Sequence, residues 1–385
     1  MQLHSIHYKQ HCNTERHWHL NDIVFERINL LVGKNGSGKS KTLNVINGLS
    51  KLLGENKTLE FVEGDFNIVF KNGIDTFQYD IKFFNKLVIE ETLLLNGETL
   101  IQRDKNGKGS IKSANNSTHE FEIPLNELKA NRRDKTNYPY LENLFFWANH
   151  VRHFNFSSPM GKVAFAIKDP SKNPTEFDLK NTDVVIPTFN AGKKNHPESF
   201  VKNIISDFNS IGYNIEDIEI GSLASLSLQI VENPSVEIRA IKVKEKDLLC
   251  WTDQWDMSNG MFRALSIIIN FNYYELEKIP GLILIDDIGE GLDFERASKL
   301  IELLISKTEK NSNIQLIMST NDSFVMNNVD LKYWQIIDRE GGEIKYYNHL
   351  NSSQIFEDYK FTGLNHFDFF ATDFFKNGFS TNSEN

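Results

Sequence analysis

Two stretches of this chain carry residues whose types and spacing suit phosphate chemistry. The first is GKNGSGKS, Gly33 to Ser40, which satisfies G-x-x-x-x-G-K-[ST]. Its glycines let the backbone curl so that N–H groups converge on an anion, at the start of a helix whose dipole favours negative charge. Lys39 would reach the β- and γ-phosphates of a nucleotide, and the Ser40 hydroxyl would ligate Mg²⁺. Contacts to the nucleotide are expected from Gly33, Lys34, Asn35, Gly36, Ser37, Gly38, Lys39, Ser40 and Lys41. The second stretch is LILIDDIGEGLD, residues 282–293, where four branched aliphatics run straight into acid. Such a run suits a strand buried on both faces, and carboxylates at its end are costly unless a cation waits there. Asp286 would hold the metal of the phosphate site. Asp287 would be the general base toward an attacking water, with Glu290 its nearest rival.

These groups need elements to hold them. Residues 21–53 read strand, loop, helix: IVFERINLLVG is an extended apolar run, and Leu43, Ile46, Leu49 and Leu53 form one helical stripe. Residues 60–103 alternate in period two with NG pairs at turn positions, which predicts a meander. The middle is less regular, with helices expected at 139–151 and 197–211 and a hairpin around ENPS, residues 232–235. A helix near 260–277, the acidic strand, a helix at 295–310 and the strand IQLIMST complete the pattern. The order is mixed α/β with a middle insertion, and it shows neither repeats nor heptads.

WDMSNGMFRALSIIINF, residues 255–271, precedes the acidic strand. Ser258 can cap the following helix, and Gly260 permits close backbone approach. The order phosphate loop, MSNGMFRAL, LILIDDIGEGLD, STND resembles the ABC-type ATPases. Within them it is most similar to the RecF/SMC-like and OLD-like heads of bacterial DNA repair and phage defence, not to transporter subunits. The resemblance is anchored at residues 21–53 and 255–325. It implies that Ser258, Asn259 and Gly260 bind the γ-phosphate of ATP held by a second subunit. It also implies that Gly291, Leu292 and Asp293 cross a dimer interface, and that Asn321 replaces a γ-phosphate-sensing histidine. Two departures stand out: Asp287 occupies a position that is usually Glu, and Asn321 lacks a titratable nitrogen.

The expected fold is therefore an α/β P-loop NTPase of ABC-ATPase head type, a mixed sheet with flanking helices plus an inserted α/β lid. Residues 1–117 would form the lobe with the phosphate loop, 118–235 a lid or dimerisation segment, and 236–385 the lobe with signature, acidic strand and Phe-rich tail. The expected activity is slow ATP hydrolysis to ADP and phosphate by an ATP–Mg²⁺ homodimer. It would act as a switch in bacterial phage defence or DNA maintenance, coupled to an effector protein encoded nearby. The alternative is a DNA repair clamp or motor with DNA-stimulated turnover.

The bulk properties narrow these readings. The chain has 385 residues, 40% hydrophobic and 24% charged, with net charge -10, so any nucleic-acid contact needs a local basic patch. Two cysteines, Cys12 and Cys250, build no disulfide framework, and no apolar stretch reaches membrane-spanning length, which predicts a cytoplasmic protein without membrane contact. Lys129, Arg132, Arg133 and Lys135, with Lys193 and Lys194, are the candidate basic spots for DNA. His4, His7, His11, Cys12, His17 and His19 match no closed Cys/His framework, so a solvated strand and loop is expected there, with His17 or Trp18 beside the adenine. Phe361, Phe367, Phe369, Phe370, Phe374, Phe375 and Phe379 are expected to pack on the protein's own core, with a partner-docking surface as the alternative.

Overall fold

The computed structural model describes residues 1–12, 14–54, 62–158, 160–168, 185–223 and 237–379. From the amino end run β1 (Gln2–Gln10), β2 (Trp18–Val24), β3 (Ile28–Val32) and helix α1 (Lys39–Gly54). A meander follows: β4 (Glu63–Asn72), β5 (Asp75–Phe84), β6 (Leu87–Leu95), β7 (Glu98–Arg103), β8 (Lys108–Lys112) and β9 (Thr118–Glu122). The middle holds α2 (Leu141–Asn149), β10 (Val151–Asn155), β11 (Ala166–Lys168), α3 (Val185–Asn195) and α4 (Phe200–Ser210), then β12 (Ile215–Ser222), β13 (Glu237–Glu245) and β14 (Thr252–Asp253). The last part holds α5 (Asn259–Glu277), β15 (Gly281–Asp286), α6 (Phe294–Lys310), β16 (Ile314–Thr320) and α7 (Ser323–Asn328). After these come β17 (Trp334–Glu340), β18 (Glu343–Tyr347), α8 (Ser353–Lys360), α9 (His366–Ala371) and α10 (Phe374–Asn377).

Fourteen strands form one mixed sheet, ordered β10-β15-β16-β3-β17-β18-β2-β1-β4-β5-β6-β7-β8-β9. The first five are parallel neighbours. From β2 to β9 every pairing is antiparallel. The two halves meet where β18 runs parallel to β2, and only two residue pairs, Glu343 with His19 and Ile344 with Leu20, make that join. A second, smaller sheet, β11-β13-β12 with β14 on β13, shares no strand pairing with the first but packs on the same core through Ile218, Ile241 and Val243. It draws on residues on both sides of 235, while the main sheet takes β10 from within 118–235.

The strands β3, β15 and β16 are largely apolar because each feeds two cores. Leu30, Val32, Ile283, Ile285, Leu316 and Met318 pack with α5 and α6 on one face. Leu31, Leu282, Leu284 and Ile317 pack with α1 and α2 on the other. Since side chains alternate, Asp286 shares the face of Leu282 and Leu284, the face on which α1 begins.

Several local expectations need correction. The run IVFERINLLVG is two strands, because the Glu26 amide donates to Asn29 Oδ1 at 3.0 Å and Asn29 Nδ2 donates back to Glu26 O at 2.7 Å, closing a turn. The helix expected to reach residue 151 stops at Asn149, and the next residues become β10. The helix α3 was not anticipated, since Pro187 and Gly192 interrupt its pattern. The expected hairpin at 232–235 lies outside the described residues. In the tail, Phe369, Phe370 and Phe375 are buried in the core, whereas Phe361 and Phe379 are exposed. No helix among the described residues is long and apolar enough to cross a membrane.

Leu284 is fully buried two residues before Asp286. Leu284→Ala should cost about 2–5 kcal/mol by leaving a cavity under the acidic strand. Urea unfolding measures it, and a loss under about 1 kcal/mol would contradict this packing.

Candidate functional site

The phosphate loop leaves β3 and enters α1 with Gly38 at φ +107, a conformation that L side chains rarely adopt. Lys39 is buried and donates from Nζ to Gly33 O at 2.6 Å and Lys34 O at 3.3 Å, so its ammonium is held inside the loop's curl. Burial pulls its pKa below the ordinary lysine range, while the charges of Asp287 and Asp286 oppose that shift.

Asp286 is 4% exposed at the end of β15. Its Oδ1 accepts from Ser40 Oγ at 3.1 Å and from Ser319 Oγ at 2.5 Å. The same Ser319 hydroxyl accepts from the Asp287 amide at 2.9 Å. Asp286 and Ser40 fit a hard divalent ion: adjacent ligands of an octahedron with Mg²⁺ bonds near 2.1 Å stand roughly 3 Å apart.

Asp287 takes a left-handed backbone, φ +53, which turns its side chain away from the strand's alternation. Its Oδ2 accepts from Ser157 Oγ at 3.1 Å, and Glu290 Oε2 lies 2.6 Å from the same hydroxyl. One hydroxyl proton therefore serves two competing carboxylates. Burial and the charge of Asp286 raise the Asp287 pKa above the ordinary range, and the Ser157 hydrogen bond and Lys39 act the other way.

A cleft of about 380 Å³ brings together Asn35, Gly36, Gly38, Lys39, Ser40, Lys41, Asp287 and Asn321, along with His17, Trp18 and Arg339. Asn321 Nδ2 donates to Asn35 Oδ1 at 3.0 Å, which ties it to the phosphate loop. Trp18 lies buried with the Lys41 ammonium 4.3 Å from its ring centroid. Neither the Ser258–Gly260 segment nor Asp293 lines this cleft.

Ser258 instead caps α5, accepting from the Met261 amide at 3.1 Å, and Asn259 beside it is exposed. Gly260 is set against the acidic loop so closely that a Cβ would stand 2.1 Å from Gly291 O. Arg263, one turn along, donates to Glu290 O and Ser158 O, each at 3.0 Å. Asp293 caps α6 and pairs with Arg296 at 2.6 Å, and the Arg296 amide holds its carboxyl below the ordinary range.

Sequence reasoning missed Ser157, Ser319, Arg263 and Arg339. Ser319 stood in plain sight beside Asn321, but nothing around Ser157 marks it. The basic loop is largely neutralised within the chain. Arg132 pairs with Glu127 and Arg133 with Glu142, each at 2.9 Å, while Lys129 is buried with its ammonium 5.1 Å from the Tyr138 ring centroid. Lys193 and Lys194 sit in the last turn of α3, where cations offset the helix dipole.

A family model described as "AAA domain, putative AbiEii toxin, Type IV TA system" matches residues 28–327. Among solved structures the chain is similar to an SMC head bound to the C-winged helix domain of ScpA, at 14% identity and a TM-score of 0.52, covering 92% of this chain and 100% of that one. It is also similar to an Smc head domain with an extended coiled coil, bound to the C-terminal domain of ScpA and derived from Pyrococcus furiosus. That match has 13% identity and a TM-score of 0.50, covering 93% and 99%. At such identities the likeness is one of fold. No curated protein matches the chain.

Gly260→Ala forces a methyl group against the Gly291 carbonyl and should cost about 1–3 kcal/mol. Asn259→Ala, on the exposed side, should stay within about 0.5 kcal/mol of wild type. Denaturant unfolding of both variants compares them, and equal stabilities would remove the close contact.

Proposed function

Because the chain belongs to this AbiEii-type AAA-domain family of P-loop ATPases, we propose that it binds ATP with Mg²⁺, dimerises around it and hydrolyses it slowly as a conformational switch. The observation that carries this reading is the meeting of Ser40 and Asp286 at 3.1 Å beneath a lysine-filled phosphate loop. Nucleotide phosphates would take over the Lys39 ammonium from the Gly33 and Lys34 carbonyls. Mg²⁺ held by Ser40 and Asp286 would neutralise charge on the β- and γ-phosphates. Asp287 would orient the attacking water and accept its proton, Ser157 would steady that carboxylate, and Asn321 would hold the far side of the γ-phosphate.

Dimerisation is supported by the exposure of Ser258 and Asn259 at the start of α5, outside their own chain's cleft. A facing copy would use these residues on its partner's ATP. Gly260 and Arg263 would then carry the partner's state into the acidic loop through Gly291 and Glu290. The setting we favour is a phage-defence or DNA-maintenance switch acting on an effector protein. The internal pairing of the basic loop argues against a DNA-stimulated motor, and turnover unchanged by added DNA is the expected result.

Lys39→Ala should abolish ATP binding or turnover with the fold intact. Ser258→Arg should keep ATP binding but lose ATP-dependent dimerisation. Nucleotide binding and light scattering read the two effects. Unchanged affinity and hydrolysis in the first variant, or normal dimerisation in the second, would contradict the two-sided site.

Aspartate is one methylene shorter than glutamate, and a misplacement of about 1 Å can cost on the order of 100-fold in rate. Wild-type turnover is thus expected below about 1 per second, against an enzyme median near 10. Single-turnover rates should collapse in Asp287→Asn and change little in Glu290→Gln. The reverse pattern would move the base to Glu290.

A further inference from the structure

Three side chains, His17, His19 and Glu343, meet on the outer face of the sheet at the rim of the nucleotide cleft. His17 and His19 alternate with buried Trp18 and Leu20, so both point outward from β2 and the turn before it. Glu343 opens β18 directly opposite His19. Its Oε1 lies 2.8 Å from His17 Nε2 and its Oε2 lies 2.8 Å from His19 Nδ1, with Asn21 Nδ2 donating to Oε2 at 3.1 Å. One ligating atom from each of His17, His19 and Glu343 falls within 4.8 Å of the others. We infer that His17, His19 and Glu343 form a site for a divalent transition metal of zinc type.

The proton arrangement around the cluster argues for a cation. His19 Nε2 lies 3.3 Å from His7 Nε2, and His7 Nδ1 lies 3.3 Å from Asp22 Oδ1. Two neutral rings cannot satisfy this chain. If His19 donates to Glu343 and His7 donates to Asp22, the two Nε2 atoms face each other as bare lone pairs. A metal on His19 Nδ1 removes the conflict. His19 Nε2–H then donates to His7 Nε2, and His7 Nδ1–H donates to Asp22. That relay is the outer-shell support that metal-bound imidazoles ordinarily have. His17 Nδ1 is buried without a hydrogen-bond partner, so a metal on Nε2 would leave the Nδ1–H without an acceptor, and the support comes from the His19 side of the cluster.

Two imidazoles and a carboxylate suit Zn²⁺ or Co²⁺ better than Mg²⁺, and three protein ligands leave one position open. The site spans the two-pair join between β18 and β2. A bound ion would therefore staple the meander to the half of the sheet that carries the phosphate loop, at the rim where His17 also lines the cleft. The sequence pattern hid this because Glu343 stands over 300 residues from the histidines.

The test uses the untagged full chain, stripped with a chelator and titrated with Co²⁺, then Zn²⁺. The expected result is one ion per chain, with the visible absorption of four-coordinate Co²⁺ bleached by Zn²⁺, and a Tm that rises with Zn²⁺ concentration. Glu343→Gln and His19→Ala should weaken binding on the order of 100-fold or more. Asp22→Asn, which touches only the outer shell, should weaken it about 10-fold. Circular dichroism checks that each variant folds, and the wild-type Co²⁺ spectrum stands whatever the variants do. Absence of saturable uptake by the wild type would overturn the site, as would uptake unchanged in folded Glu343→Gln. Stabilisation by mild acid with no response to either metal would show that a proton resolves the cluster, and would overturn it as well.

Discussion

A carboxylate at the end of a strand buried on both faces must be solvated by the protein itself. Asp286 is in that position, and much of the molecule is arranged around it. The Ser40 hydroxyl reaches it from the first turn of α1, and the Ser319 hydroxyl reaches it from β16 next door. For both to arrive, β3 must lie beside β16 and β16 beside β15, which is the order the parallel half adopts. The strand order, the placement of α1 over one face and the curl of the phosphate loop thus answer one electrostatic demand.

The second acid is handled differently. Asp287 leaves the strand geometry through a left-handed residue and shares a single serine hydroxyl with Glu290. That serine follows β10, so the middle of the chain reaches directly into the acidic loop. From the other side the loop is gripped by Arg263 and by the backbone contact between Gly260 and Gly291. Two separate parts of the chain thereby hold the loop that carries one short side chain.

What could be read from the sequence was local. The phosphate loop, the acidic strand and the α5 cap each occupy consecutive residues, and strong apolar patterns frame them. The meander was legible because half-buried antiparallel strands alternate. β10 was not, since VRHFN carries Arg and His through a buried strand. Arg152 is accommodated there by the Asn149 and Val151 carbonyls, each at 2.9 Å, a compensation that no pattern announces. Ser157 and Glu343 stayed hidden for the same reason: their partners lie 130 and more residues away. Charge pairing also escaped the sequence reading, which saw a basic loop where the structure has arginines already matched to glutamates.

The strand order bears on how the chain is made. β3 carries the phosphate loop and lies near the amino end, yet both its neighbours, β16 and β17, come from the last quarter of the sequence. Such distant pairing closes late and slowly, because loop-closure entropy is spent before the contacts reward it. During synthesis the meander from β4 to β9 can fold early on its own local hairpins, while the loop beside it waits for residues near 320 to emerge. The phosphate loop is translated among the first segments and completed among the last. A truncated or stalled chain would carry the motif without the strands that shape it.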